Sequence, residues 1–203
     1  MKIACIGHCQ LESLAWYIKY LLPNDECWWV AYNKKYGGYN FNGKLKEVNG
    51  ELLTKDFIDN VKCPHDKIDY VKSCDYIIYI PMTESATSNY HTKKIKTYFK
   101  DGSKSISVAN YYIDNDKYTE SLKETNKREI EKGGTDIGID RVINQDNINE
   151  MLPLRKYEPN HPPSNYFLKL LQLICEDFNW KYFSKEDHDM FLKTGFPHGV
   201  NEK

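Results

Sequence analysis

The sequence predicts an α/β fold, a three-layer sandwich whose central parallel sheet is flanked by helices, and three features of the chain lead there. Short apolar runs at 2–6, 73–81 and 105–109 have the length and character of buried strands. Segments of helical period lie between and after them, at 11–22, 91–100, 115–132 and 166–178. Strands alternating with helices pair in parallel through right-handed crossovers, and ligands of such sheets gather beyond the carboxyl ends of the strands.

The elements follow in order. Lys2–Ile6 is apolar and bounded by Gly7, which suits a short buried strand running into a tight turn. Leu11, Leu14, Ala15, Ile18, Leu21 and Leu22 then recur at helical spacing until Pro23-Asn24-Asp25 stops the pattern. Cys27–Tyr32 reads as a second strand, and the Gly-rich stretch 33–50 as a loop or hairpin. A short helix is expected near Thr54–Val61, then a strand from Ser73 to Pro81. The polar segment with Thr83, Glu84, Ser85, Thr87 and Ser88 follows, placed to line a site.

A helix over 91–100, a turn at Asp101-Gly102 and a strand at Ser105–Ala109 lead to Asn110-Tyr111-Tyr112. The charged stretch 115–132 reads as a helix broken at Gly133-Gly134, with a further helical pattern from Asp146 to Leu152. Last, Phe167, Leu168, Leu170, Leu171, Ile174, Cys175 and Phe178 give the Tyr166–Phe178 helix a wide apolar face. Gly7, Pro81 and Asn110 are expected on one carboxyl edge of the sheet.

At 203 residues with 40% hydrophobic content, the chain is expected to form one domain over 1–203 with a real core. A net charge of −1 supplies no field to steer a polyanion, so nucleic acid is not the expected partner. No apolar run reaches the roughly 18 residues that cross a bilayer, so no membrane span is expected. Six scattered cysteines without a C-x-x-C pair, and a start that enters a strand without a secretory leader, point to free thiols in the cytoplasm. Cys63-Pro64-His65, His188 and His198 lack the spacing of a structural zinc site, so no metal is expected.

The candidate chemistry sits at Gly7-His8-Cys9-Gln10, between strand and helix. A thiol at a helix N-terminus is expected to have a lowered pKa and to act as a nucleophile, with free backbone amides of residues 8–11 ready to hold an oxyanion. The alternative is a small buried cysteine. His161, in Asn160-His161-Pro162-Pro163-Ser164, has a similar double reading: a base reaching the turn after the first strand, or a loop residue beside a cap at Asn160 or Ser164.

These features together resemble the WcbI-type polysaccharide-biosynthesis enzymes: Gly-x-Cys-Gln at 7–10 after a first strand, a middle strand ending in a polar segment, Ala-Asn-Tyr-Tyr at 109–112, and Asn-His-Pro at 160–162 before an amphipathic helix. The resemblance spans roughly residues 2–178 and implies an SGNH-hydrolase-like fold and a coenzyme A-binding acetyltransferase of sugars. It implies Cys9 and His161 as the catalytic pair. His8, Gln10, Thr83, Asn110 and Tyr111 are then expected to face the coenzyme, and Glu84, Ser85 and Asn160 the acceptor. Two positions depart from the family: His8 stands where Asn is usual, and Ile80 where a polar strand-end residue is expected.

The leading expectation is thus an acetyl-coenzyme A-dependent acetyltransferase acting on a hydroxyl or amine of a sugar, either a nucleotide sugar or a surface glycan. His161 would deprotonate the acceptor directly or activate Cys9 to form an acyl-thioester, and the sequence leaves both routes open. Two alternatives stand beside it. One is a thiol-dependent esterase or deacetylase, against which a Cys nucleophile is unusual for the scaffold and only Glu158 lies at the spacing of an orienting acid. The other is a glycan- or nucleotide-binding module using some of the 16 tyrosines as stacking surfaces.

Overall fold

Side chains alternating along four parallel strands build two cores, one on each face of a sheet. The computed structural model describes residues 1–31, 39–40, 47–48, 51–52, 67–82, 92–114, 116–132, 134–152 and 162–194. The strands are β1 (Lys2–Gly7), β2 (Glu26–Ala31), the short β3 (Tyr39–Asn40), β4 (Glu47–Val48) and β5 (Glu51–Leu52), then β6 (Tyr76–Tyr79) and β7 (Lys104–Ser107). The main sheet has the order β3-β2-β1-β6-β7; β2, β1, β6 and β7 are parallel and β3 runs antiparallel to β2. β4 and β5 pair antiparallel as a separate hairpin.

Because strand side chains alternate with period two, Ile3, Cys5, Cys27, Trp29, Ile78 and Ile106 enter one core while Ala4, Ile6, Trp28, Val30, Ile77 and Tyr79 enter the other. The first face is covered by helices α1 (Cys9–Leu21), α6 (Ser164–Phe178) and α7 (Lys185–Thr194). The opposite face takes α2 (Lys67–Ser73) and α3 (Thr92–Ile95), through Tyr70, Val71 and Ile95. The three layers expected from the sequence are present.

α1 is buried along most of its length, from Gln10 to Lys19. A lysine so enclosed needs acceptors, and the Lys19 ammonium donates to the Pro23 and Asp25 carbonyls at 2.9 and 2.6 Å, closing the end of the helix. α6 ends with Asn179 in the left-handed region (φ 57°), while Trp180 N–H returns to the Cys175 carbonyl. At the amino edge of the sheet, Asp75 accepts from Lys2 N–H at 2.8 Å, and its own backbone bonds to Lys2 and Lys104 hold three strand starts in register.

The structure corrects several expected boundaries. Ser73 ends α2 and does not begin a strand; the strand is shorter, with Ile80 and Pro81 beyond it. Asp146–Leu152 forms one 3-10 turn at Ile148–Glu150, and 91–100 is α3 followed by a 3-10 turn at Lys96–Tyr98. Neither α2 nor α7 was expected, nor the short α5 (Ile139–Val142). The 115–132 pattern is α4 (Tyr118–Glu131), and Gly134 (φ +82°) turns the chain after it, sending its N–H back to the Glu129 carbonyl at 2.8 Å. α6 starts from Pro163 as its cap residue, without a side-chain cap bond from Ser164. The helix expected near Thr54–Val61 lies outside the described residues.

Candidate active site at the β1–α1 elbow

The carboxyl ends of the parallel strands meet at the turn between β1 and α1. Gly7 closes β1 and its carbonyl accepts from the Trp29 indole N–H at 3.1 Å, which ties the turn to β2. A side chain at position 7 is excluded by packing: a Cβ there would lie 2.9 Å from Leu11 Cγ in the first turn of α1. Glycine is needed for this close approach. Ile80 N–H bonds to the Ile6 carbonyl and Val108 N–H to the Tyr79 carbonyl, so the ends of β6 and β7 are drawn to the same edge. Ile80 itself is 1% exposed, its side chain in the core, and offers no polar group to a ligand.

His8 is the cap residue of α1, in extended conformation, and makes no side-chain cap bond. Its half-buried ring is hydrogen-bonded to the Asn110 side chain beyond β7. Burial lowers the imidazole pKa below its ordinary 6.5; the Asn110 bond opposes this and the Lys132 ammonium reinforces it. At neutral pH His8 is therefore uncharged, with its ring oriented by Asn110.

Cys9 is the first helical residue and is exposed; Cys5, Cys27, Cys74 and Cys175 are buried free thiols. The expected lowering of its pKa does not occur. Packing around the sulfur raises it first, and the Glu12 carboxyl one turn along the helix adds to the rise. The backbone N–H groups of Cys9 and Gln10 pull the other way, and the net direction is upward. Desolvation and a like charge outweigh the helix terminus here. Leu11 N–H is already bonded to the His8 carbonyl at 2.9 Å, so the amides available to a developing oxyanion are those of Cys9 and Gln10.

Gln10 and Tyr111 brace this arrangement. Gln10 Nε2 donates to the Tyr111 carbonyl at 2.8 Å, and Tyr111 N–H donates to Gln10 Oε1 at 3.0 Å, joining positions 101 residues apart. Both residues are buried, and the Tyr111 hydroxyl donates to the Met151 carbonyl at 2.7 Å. The Tyr166 ring of α6 meets Tyr111 edge-on at 4.8 Å between centroids, so the first turn of α6 packs against the same brace. Of the residues expected to form the pocket, His8, Cys9, Gln10, Asn110 and Tyr111 are gathered at this edge. Thr83, Glu84, Ser85, Asn160 and His161 lie outside the described residues.

Three charged residues join the site without having been singled out in the sequence. Glu12 is half-buried, and burial pushes its carboxyl up to about 7. Its position was legible as Cys-x-x-Glu, one helical turn. Lys132 and Glu129, at the end of α4, were not legible, because only tertiary structure brings that helix to the elbow. Among the described residues no group of three metal-ligating side chains is found, and no helix is long and apolar enough to cross a membrane.

This geometry has a counterpart among solved structures. The chain is folded like WcbI. That protein is described as a polysaccharide biosynthesis enzyme, here in a native form without a disulfide bond between coenzyme A and one of its cysteines. The two superpose with a TM-score of 0.56 at 13% sequence identity, over 89% of this chain and 70% of WcbI. At that identity the likeness concerns the fold. No protein-family model and no curated protein matches the sequence.

Proposed function

We propose that the protein is a single-domain acyltransferase, moving an acetyl group from acetyl-coenzyme A to a hydroxyl or amine of a sugar during glycan biosynthesis. One observation carries the reading: an exposed thiol, Cys9, on the first residue of the helix after β1, with the N–H groups of Cys9 and Gln10 beside its sulfur. It lies at the sheet edge where α/β folds bind ligands, on the fold of a polysaccharide enzyme whose structure concerns coenzyme A and a cysteine. Coenzyme A is the acyl donor and is consumed as a substrate.

In this reading the thioester carbonyl lies against the Cys9 and Gln10 amides, which stabilise negative charge on its oxygen as the carbonyl carbon becomes tetrahedral. His8, held neutral and oriented by Asn110, lines the donor side together with Thr83. Gln10 and Tyr111 keep the elbow in place from beneath. Glu84, Ser85 and Asn160 face the acceptor, and His161 takes the proton from its hydroxyl or amine. The reaction belongs in the cytoplasm, where acyl-coenzyme A is available.

Thermal-shift titration with coenzyme A and acetyl-coenzyme A tests the reading, since a ligand at 100 times its Kd stabilises the native state by about 2.7 kcal/mol. Transfer of labelled acetyl to a panel of nucleotide sugars, lost in His161→Ala, is the expected catalytic result. Release of free acetate at full rate without acceptor would place the protein among thiol esterases. Undiminished glycan acetylation in cells carrying both Cys9→Ala and His161→Ala would leave it a binding module.

A further inference from the structure

Glu12 has no part in the scheme above, yet it is the carboxyl closest in sequence to the reactive thiol and shares its helix turn. α1 begins at Cys9, so Glu12 stands three positions on, where helical side chains are neighbours on one face. The two groups feel each other: the Glu12 carboxyl is among the causes that raise the Cys9 thiol. Glu12 is half-buried between the buried Leu11 and Leu14. A thiol so raised is mostly protonated at neutral pH, and it attacks a carbonyl only if a base removes its proton as it does so.

We propose that Glu12 is a further catalytic residue: its carboxylate accepts the Cys9 thiol proton as the sulfur attacks the acyl carbon and returns it to the departing coenzyme A sulfur. The inference rests on the acyltransfer reading and selects its covalent route. A bond forms between Cys9 Sγ and the acyl carbon, and the bond between that carbon and the coenzyme A sulfur breaks. The proton leaves Cys9 and ends on coenzyme A, so Glu12 finishes as the carboxylate it began as. The acceptor then attacks the Cys9 thioester, losing its proton to His161 while the Cys9 sulfur is released and reprotonated.

The electrostatic setting suits that task. Burial holds the carboxyl at about 7, so near neutral pH it is populated in both forms and serves as base and acid in turn. The other ionisable groups near the elbow are His8, bonded to Asn110, and Lys132, whose ammonium faces His8. Of the elements packed on α1, β1 and β2 carry their charged residues Lys2 and Glu26 at the opposite end, and α6 has no acidic residue in its first turn.

The test compares wild type, Glu12→Gln and Glu12→Asp in two assays. One is single-turnover release of coenzyme A from acetyl-coenzyme A, with the acetyl group located on the Cys9 peptide by mass spectrometry. The other is alkylation of Cys9 by iodoacetamide without acyl donor, across pH 6–10. In Glu12→Gln, coenzyme A release is expected to fall by about 100-fold or more. Cys9 alkylation at pH 8 is expected to become faster, because a like charge has gone. Glu12→Asp keeps a carboxylate and should recover part of the release rate.

These opposite directions distinguish proton transfer from structural damage. Wild-type acylation in Glu12→Gln overturns the inference, as does a parallel slowing of both assays. A wild-type protein that transfers acetyl without ever forming the Cys9 thioester also overturns it while leaving the acyltransferase reading in place. A wild-type protein that binds neither coenzyme A nor acetyl-coenzyme A overturns that reading itself.

Discussion

Replacing Glu129 by Gln should stabilise the protein at alkaline pH and do little at pH 5. Glu129 is 6% exposed; its Oε2 accepts from the Thr135 hydroxyl at 2.9 Å, while its Oε1 is buried without a hydrogen-bond partner. Burial pushes the carboxyl from 4.5 up to about 7, against the pull of Thr135 and the Ile139 backbone N–H. A carboxyl whose folded pKa is raised favours the protonated form in the native state. Its cost is absent below about pH 4.5, accumulates as pH rises towards 7, and is complete above.

A rise of that size corresponds to about 3 kcal/mol at pH 8 as a ceiling and to less than about 1 kcal/mol at pH 5. Gln keeps the acceptor for Thr135, carries no charge, and sets an N–H where the unpartnered oxygen stood. The Tyr166 hydroxyl, also buried without a partner and electrostatically coupled to Glu129, becomes available to it. Urea unfolding of both proteins at pH 5 and pH 8 measures the difference of differences, in which shared groups such as Glu12 cancel. A Glu129→Gln protein no more stable than wild type at pH 8, or an advantage equal at both pH values, would refute the argument.

Gln10→Ala leaves the Tyr111 N–H and carbonyl buried without their partner, so unfolding free energy should drop by about 2–4 kcal/mol in urea titration. Gly7→Ala pushes a methyl against buried Leu11, which has no room to retreat; a loss of about 1–3 kcal/mol is expected, with an altered Cys9 alkylation rate reporting the displaced elbow. His8 should titrate below its ordinary 6.5 when followed by NMR of its ring protons. Lys132→Gln removes an opposing charge and should move that titration upward.

Much of the scaffold was readable in the chain because it is local. The runs at 2–6 and 105–109 are too apolar and too short for anything but buried strands, and the helical spacing from Leu11 to Leu22 and from Tyr166 to Phe178 reports faces that pack on a sheet. The elements that were missed or redrawn are of another kind. α2 and α5 are short, and 146–152 holds a single 3-10 turn. Segments of that length lack intrinsic stability and form because the tertiary structure covers them, so their periodicity is weak. α7 is charged along most of its length and is fixed by Phe191 packing on Tyr17 and Tyr20.

The sequence by itself determined that Cys9 stands at the start of a helix after the first strand, with Gln10 beside it and a carboxylate three residues on. Only the tertiary structure decided what those residues are. Folding encloses the Cys9 sulfur so that desolvation and Glu12 overcome the helix terminus, and it spends the Gln10 carboxamide on the backbone of Tyr111. It also brings Asn110 and Lys132 to His8, holding that imidazole neutral. Spacing along a chain fixes which side chains share a helix face, whereas pKa values depend on the dielectric and charges that distant segments bring into contact.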